Sequence, residues 1–223
     1  MPRAFLAFQP GLNKFSKQDV DKGHVTPAMA STCNILRATF FLSNGFRRER
    51  ELFLQFPELD MMVRFHGPTL RYLGPDERSM LLLLEKALDI HRVRKKVVVN
   101  RWQETTPGIS TRGLAGEKKQ VLATTMEAAR CKEACMLTFN YRFKGTLACF
   151  QFDNDMVRAI KSTSMLWIIA STIPSGKAGK SQDGLTNTLQ ITCNGNGKCD
   201  FDACEQITII NLIEDTFKGE MSY

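Results

Sequence analysis

Leu166-Trp167-Ile168-Ile169-Ala170-Ser171 is an almost unbroken apolar run, and it reads as a strand buried on both faces, as the strands of parallel sheets are. Downstream, a glycine- and polar-rich loop, Pro174–Gly184, leads to a short strand at Leu189–Thr192 and a last helix over residues 201–217. Upstream, Met136–Tyr141 reads as a strand and Gly116–Arg130 as a helix. Near the start, Ala4–Phe8 is a first strand, followed by a polar loop through Gly23. A helix then opens with Thr26 as cap and Pro27 at its first position, and Met29, Cys33, Leu36 and Phe40 recur along one face. Asn44-Gly45 is its expected stop. In Glu51–Phe56, Leu52, Leu54 and Phe56 alternate as in a half-buried strand. Met62–Phe65 and Leu70–Leu73 are short extended pieces around a His66-Gly67-Pro68 turn. Gly74-Pro75-Asp76-Glu77 opens a second helix, which runs to about Ile90 and ends in the cationic stretch His91–Lys96, before a strand at Val97–Val99. Strands alternating with helices predict an α/β domain with a largely parallel sheet flanked by helices. No repeat or linker interrupts it, so residues 1–223 read as one domain.

The composition, 43% hydrophobic and 24% charged, is that of a globular chain. No run approaches the ~18 apolar residues of a membrane helix. The formal charge of +7 is unevenly placed: residues 1–112 hold 18 Lys+Arg against 11 Asp+Glu, whereas residues 113–223 hold 12 of each. A basic first half points to an anionic partner, RNA or DNA phosphates foremost, against the plainer reading of a basic surface that binds nothing. The seven cysteines are odd in number, form no CxxC pair and follow no signal peptide of the usual form. Free thiols in an intracellular chain, cytoplasmic or mitochondrial and not secreted, are expected, with no metal site.

Asn44-Gly45-Phe46-Arg47-Arg48-Glu49-Arg50 carries three arginines in four positions at a helix exit. Planar guanidinium forks so spaced suit successive phosphates, and this reading is preferred over a solvated turn. Pro174-Ser-Gly-Lys-Ala-Gly-Lys-Ser181 ends like a Walker loop, but Pro174 stands where glycine is needed and Gln182-Asp183-Gly184 is a poor helix start. No GxSxG or HExxH motif is present, and three scattered histidines nominate no base, so no catalytic residue is assigned. Asp153 and Asp155 read as turn residues, and Asp200 and Asp202 as caps of the last helix.

Several stretches, in order, resemble the SPOUT-class tRNA pseudouridine N1-methyltransferases, the TrmY-like family. They are Phe40–Glu49; Arg64-Phe65-His66-Gly67 through Leu70; Pro75-Asp76-Glu77-Arg78 with Lys86-Ala87-Leu88; Thr106-Pro107-Gly108-Ile109; Trp167–Pro174; and Ala203–Asp215. Residues 113–160 show little of it. Residues 1–18, with Arg3, Lys14 and Lys17 and no acid, could pass for a transit peptide, but Met1–Leu6 is similar to the family's first strand and is expected in the mature fold. The resemblance implies a trefoil-knotted fold, with a basic RNA-facing half at 1–112 and a knotted cofactor-pocket half at 113–223. It implies S-adenosylmethionine held largely by backbone, on Ala170, Ser171, Ile173, Thr192, Cys193, Asn194, Gly195 and Cys204. Asn44, Arg47, Arg48 and Arg50 would meet the RNA. A homodimer, or a heterodimer with a SPOUT relative, is implied too.

Departures cluster at the cofactor end. Ser171-Thr172 stands for the family's Asp-His, and Thr192-Cys193-Asn194-Gly195-Asn196-Gly197 for its Ser-Leu-Gly/Ser-Pro loop. Gln206 replaces its Cys, Asn211-Leu212 its His-Asn, Ala28-Met29-Ala30 its Arg-x-Asp, and Asn44 its His. Each unmade hydrogen bond in such a pocket costs about 1–3 kcal/mol, whereas backbone-mediated binding tolerates side-chain change and Gly195 and Gly197 permit close approach. The first expectation is therefore a catalytically impaired RNA-binding protein, a pseudoenzyme with a degenerate pocket. It would act as an assembly or scaffold factor in ribosome biogenesis, on structured RNA (rRNA or tRNA) such as a ribosomal precursor particle. The alternative is an active S-adenosylmethionine-dependent RNA (pseudouridine) methyltransferase with an altered cofactor loop.

Overall fold

Strand β1, Arg3–Phe8, sits at the middle of the sheet, hydrogen-bonded in parallel to β4, Arg50–Phe56, on one side and to β10, Met165–Ile168, on the other. The computed structural model describes residues 3–12, 15–42, 45–93, 101–114, 121–131, 133–141, 149–151, 165–169, 187–194 and 202–219; at 90–93, 133, 135–141, 149–151, 165, 187–194 and 216–219 it describes backbone alone. Beyond β10 the parallel set continues through β8, Glu133–Tyr141, to β11, Asn187–Asn194. Antiparallel strands finish both edges: β9, Cys149–Gln151, beside β11, and β5 (Met61–His66), β7 (Ile109–Gly113) and β6 (Gln103–Thr106) beyond β4. The expected α/β class with a central parallel sheet is thus observed, in a mixed sheet of nine strands among the described residues.

Helix α2, Pro27–Phe40, forms as its caps dictate: Thr26 is extended and its Oγ1 accepts from the Met29 amide at 3.3 Å, with Pro27 at the first helical position. Met29, Cys33, Leu36 and Phe40 are all buried, with α3 (Glu77–Val93) and α5 (Ala203–Gly219) over the same sheet face. The last helix starts on Asp202, whose Oδ1 accepts from the Glu205 amide while Glu205 Oε2 accepts from the Asp202 amide, each at 2.8 Å. Helix α4, Val121–Ala129, covers the other face, over Ala4, Leu6, Phe53, Met62, Leu166 and Ile168.

Several local expectations are revised. The loop before Gly23 contains a short helix, α1, Lys17–Asp21, capped by Ser16. Helix α2 ends at Phe40, because Phe41 is already extended, and Phe41–Leu42 (β2) pairs with Gly45–Phe46 (β3); Asn44 lies outside the described residues. Strand β4 is buried along its whole length rather than on one face, because helices cover both sides: Leu52, Leu54 and Phe56 face α2, and Phe53 faces α4. Leu70–Leu73 is loop, not strand, and Thr106-Pro107-Gly108-Ile109 is the turn of a β6–β7 hairpin that the sequence reading did not foresee. Gly108, at φ +83°, takes a conformation other residues avoid. Helix α3 extends to Val93, past Ile90. The expected Val97–Val99 strand, Gly116, the Asp153/Asp155 turn, Asp200 and the Pro174–Gly184 loop lie outside the described residues. Among those described, no helix is long and apolar enough to cross a membrane.

Candidate nucleic-acid interface

The loop from Gly67 to Leu73 is pressed onto the start of β4 and the tip of the β6–β7 hairpin. The Gly67 amide donates to Arg50 O at 2.9 Å, the His66 amide to Gly108 O at 2.8 Å, and the Arg71 amide to Pro107 O at 3.2 Å. Only glycine fits at Gly67, since a side-chain carbon there would collide with the carbonyls of Arg50 and Arg48. Ser79, in the first turn of α3, ties the far end: its Oγ donates to Tyr72 O at 3.3 Å and accepts from the Gly74 amide at 3.0 Å.

The result is a groove of about 740 Å³ lined by Phe46, Arg48, Pro68, Thr69, Leu70, Arg71, Tyr72, Leu73 and Pro107. Three stretches that carry the sequence resemblance, Phe46–Arg48, His66–Leu70 and Thr106–Ile109, meet here although they are remote along the chain. Arg48 is exposed and preset: its guanidinium lies 5.4 Å over the Phe46 ring, itself stacked on Phe40, and Nη1 donates to Leu70 O at 3.3 Å. Arg71 and Tyr72 are exposed beside it. These last two were not singled out from sequence; the available signal was a cation and an aromatic together, just past a Gly-Pro turn.

The other two arginines of the run are used differently. Arg47 is buried and grips Asp215 of α5 with both guanidinium nitrogens, Nη1 to Oδ1 at 2.9 Å and Nη2 to Oδ2 at 2.5 Å. That hydrogen-bonded carboxylate, more than burial opposes it, holds the Arg47 pKa above its ordinary value. Arg50 is fully buried, with its Nη1 against Glu214 Oε2. Arg3 Nη1 meets the same oxygen at 2.6 Å, and Trp167 Nε1 donates to Oε1 at 3.3 Å. Desolvation pulls the Arg50 pKa down despite Glu214. The expected phosphate contact is therefore corrected at Arg50 and at Arg47, which fasten the last helix to the sheet; only Arg48 of the run stands at the surface.

On the opposite sheet face Glu51, fully buried, accepts from Arg64 Nε at 2.7 Å, and Arg64 Nη2 contacts the same carboxylate. Burial raises the Glu51 pKa. His66 Nε2 lies 3.8 Å from Glu51 Oε1, yet the His66 pKa is lowered, first by burial and then by the Arg64 charge, because Arg64 already engages that carboxylate.

At the cofactor end, Ala170, Ser171, Ile173 and Gly195 lie outside the described residues, and Thr192, Cys193 and Asn194 are described as backbone only. Ile168 and Thr188 are level across β8, and β11 runs on to Asn194, so the carboxyl ends of these parallel strands share one edge of the sheet. Ligands of open α/β sheets bind outside the carboxyl ends of the strands. Cys204 is half-buried at the start of α5, where desolvation and the nearby Asp202 and Glu205 raise its pKa and keep the thiol neutral. With Asn34, Arg37, Ala38, Phe41, Leu42, Pro75 and Thr208 it lines a second groove, of about 510 Å³.

No family model matches the chain. Over 120 residues it is 32% identical to the tRNA (pseudouridine(54)-N(1))-methyltransferase of Haloferax volcanii, covering 54% of each chain. The enzyme of that name from Methanosarcina acetivorans is 38% identical over 95 residues, 41% of each chain. That from Thermococcus kodakarensis is 40% identical over 62 residues, 26% of this chain and 31% of the relative. The chain thus spans about half the length, or less, of the curated relatives it matches. The resemblance drawn from the residues is borne out at that coverage.

Proposed function

We propose that this chain, a divergent relative of the tRNA pseudouridine N1-methyltransferases, is itself an S-adenosylmethionine-dependent RNA methyltransferase acting on pseudouridine in a structured RNA such as tRNA. The observation that carries this reading is the convergence of three resemblance-bearing stretches on one cationic and aromatic groove. The relatives' names favour the active enzyme over the impaired scaffold. When bound, S-adenosylmethionine would supply the methyl group that replaces the proton on N1 of the base, leaving S-adenosylhomocysteine and releasing that proton. Ala170, Ser171, Ile173, Thr192, Cys193, Asn194, Gly195 and Cys204 are the residues proposed to hold the cofactor, mostly by backbone. Arg48 supplies the preset cation for the RNA backbone.

The proposal extends to the trefoil knot within residues 113–223 and to a second subunit, identical or a SPOUT relative. Leu42 on β2 and Leu212 on α5, 48% and 65% exposed, are the apolar side chains offered to it. A monomer by light scattering for Leu212→Arg, against a dimer for the parent, is the expected outcome.

The deciding experiment pairs calorimetric titration with S-adenosylmethionine and transfer of labelled methyl to transcripts containing pseudouridine or uridine at the same site. Micromolar binding with label on the pseudouridine transcript alone is expected. RNA binding with neither cofactor heat at millimolar ligand nor label would overturn the enzyme and favour a binding-only role.

A further inference from the structure

From the exposed Tyr72, which lines one groove with Arg48 and Arg71, we infer that the groove takes a single-stranded stretch of RNA, with one unpaired base stacked on the Tyr72 ring. The inference rests on the reading that RNA is the ligand and adds which form of RNA the groove accepts. Tyr72 is 73% exposed, the most exposed of the large apolar side chains among the described residues. Its backbone sits at φ 65°, a left-handed conformation that a bulky residue adopts only when its surroundings impose it. Two contacts impose it: the Arg71 amide is tied to Pro107 O, and Tyr72 O accepts from Ser79 Oγ. The ring itself gains little from packing, so the strain presents a π-face to solvent rather than burying one.

Two cations, Arg48 and Arg71, line the same groove as Tyr72. Arg48 and Arg71 have no carboxylate partner among the described residues, unlike Arg3, Arg47, Arg50, Arg64 and Arg78, each of which has one. An aromatic platform beside unneutralised arginines is the arrangement that tracks a single strand, whose bases are free to stack while its phosphates meet the cations. A duplex keeps its bases stacked on one another and offers this groove phosphates, 2′-hydroxyls and base edges but no free base face.

The test is fluorescence anisotropy with two labelled probes, a ten-nucleotide uridine-rich strand and a blunt ten-base-pair RNA duplex. The variants are Tyr72→Gly, Tyr72→Phe and Arg71→Ala. Tyr72→Gly relieves the backbone strain, so it should melt no lower than the parent while losing about fivefold or more in affinity for the single strand. Its duplex affinity and its salt slope should stay unchanged, because stacking releases no counterions. Tyr72→Phe should stay within about twofold of the parent, and Arg71→Ala should flatten the single-strand salt slope by about 0.7. Single-strand affinity unchanged in Tyr72→Gly, or lost equally on both probes, overturns the inference. The assay contains no methyl donor, so the two readings fail separately. Tyr72-dependent binding without cofactor heat refutes the enzyme alone, and methyl transfer with Tyr72-independent binding refutes the stacking alone.

Discussion

Replacing Glu214 by Gln removes one negative charge from a site where it faces two arginines. Glu214 is 1% exposed and Arg50 0%; Arg3 and Arg50 share its Oε2, and Trp167 holds Oε1. Gln keeps the volume and can keep the Trp167 bond, so the lost charge dominates the effect. Breaking a buried ion pair from one side leaves an uncompensated cation and costs about 3–5 kcal/mol, and the retained Trp167 bond places Glu214→Gln near the lower end, about 3 kcal/mol. For a chain of this length that is a fall of about 6–12 °C in melting temperature. Arg50→Met should behave differently. Glu214 keeps Arg3, and the methionine sits on Phe5, over whose ring the Arg50 guanidinium lies at 5.9 Å. Moreover Nε and Nη2 of Arg50 have no hydrogen-bond partner among the described residues, so its desolvation is poorly compensated in the native protein. A change within about 1 kcal/mol, of either sign, is expected, and Arg50→Met combined with Glu214→Gln should recover most of the single-mutant loss. Urea unfolding followed by tryptophan fluorescence, at one protein concentration, measures all four proteins. A Glu214→Gln variant within about 0.5 kcal/mol of the parent, or an Arg50→Met variant costlier than Glu214→Gln, would refute the reasoning.

Three more outcomes follow from the geometry. Gly67→Ala must push apart the carbonyls of Arg48 and Arg50, so it should destabilise by about 1–3 kcal/mol and weaken RNA binding; an unchanged unfolding midpoint counts against the tight approach. His66 has its pKa held below the ordinary 6.5, first by burial, so the unfolded chain takes up that proton first and stability falls as pH drops below 6.5. Its removal in His66→Asn should reduce the loss of melting temperature between pH 7 and pH 5, and parallel profiles would show that His66 contributes nothing there. Burial pushes the Cys33 and Cys131 thiols up to about 12, so neither should be alkylated by iodoacetamide at pH 8 in the native protein; peptide mass spectrometry showing labelling as fast as in urea contradicts their burial.

What the sequence determined by itself was local. Thr26 and Pro27 start α2 because a side-chain oxygen and a preset φ act within one turn, and the spacing of Met29, Cys33, Leu36 and Phe40 marks its buried face. The apolar run at Leu166–Ile169 marks a strand with no wet face, and Asp202 caps the last helix three residues from its partner. The collinear stretches of family likeness were also legible, although not that Phe46, Arg48, Pro68, Thr69, Leu70 and Pro107 from three of them would line one groove. Burial of β4 on both faces was hidden, because alternation in a sequence cannot report a helix packed on the second side. The fate of the arginines was hidden most completely. Arg47 and Arg48 are neighbours and chemically identical, yet one is buried on a carboxylate 168 positions away and the other stands at the surface over a phenylalanine. Only the fold decides this, because a guanidinium's role is set by whether a carboxylate or water meets it, and that encounter depends on the return of α5 to the sheet.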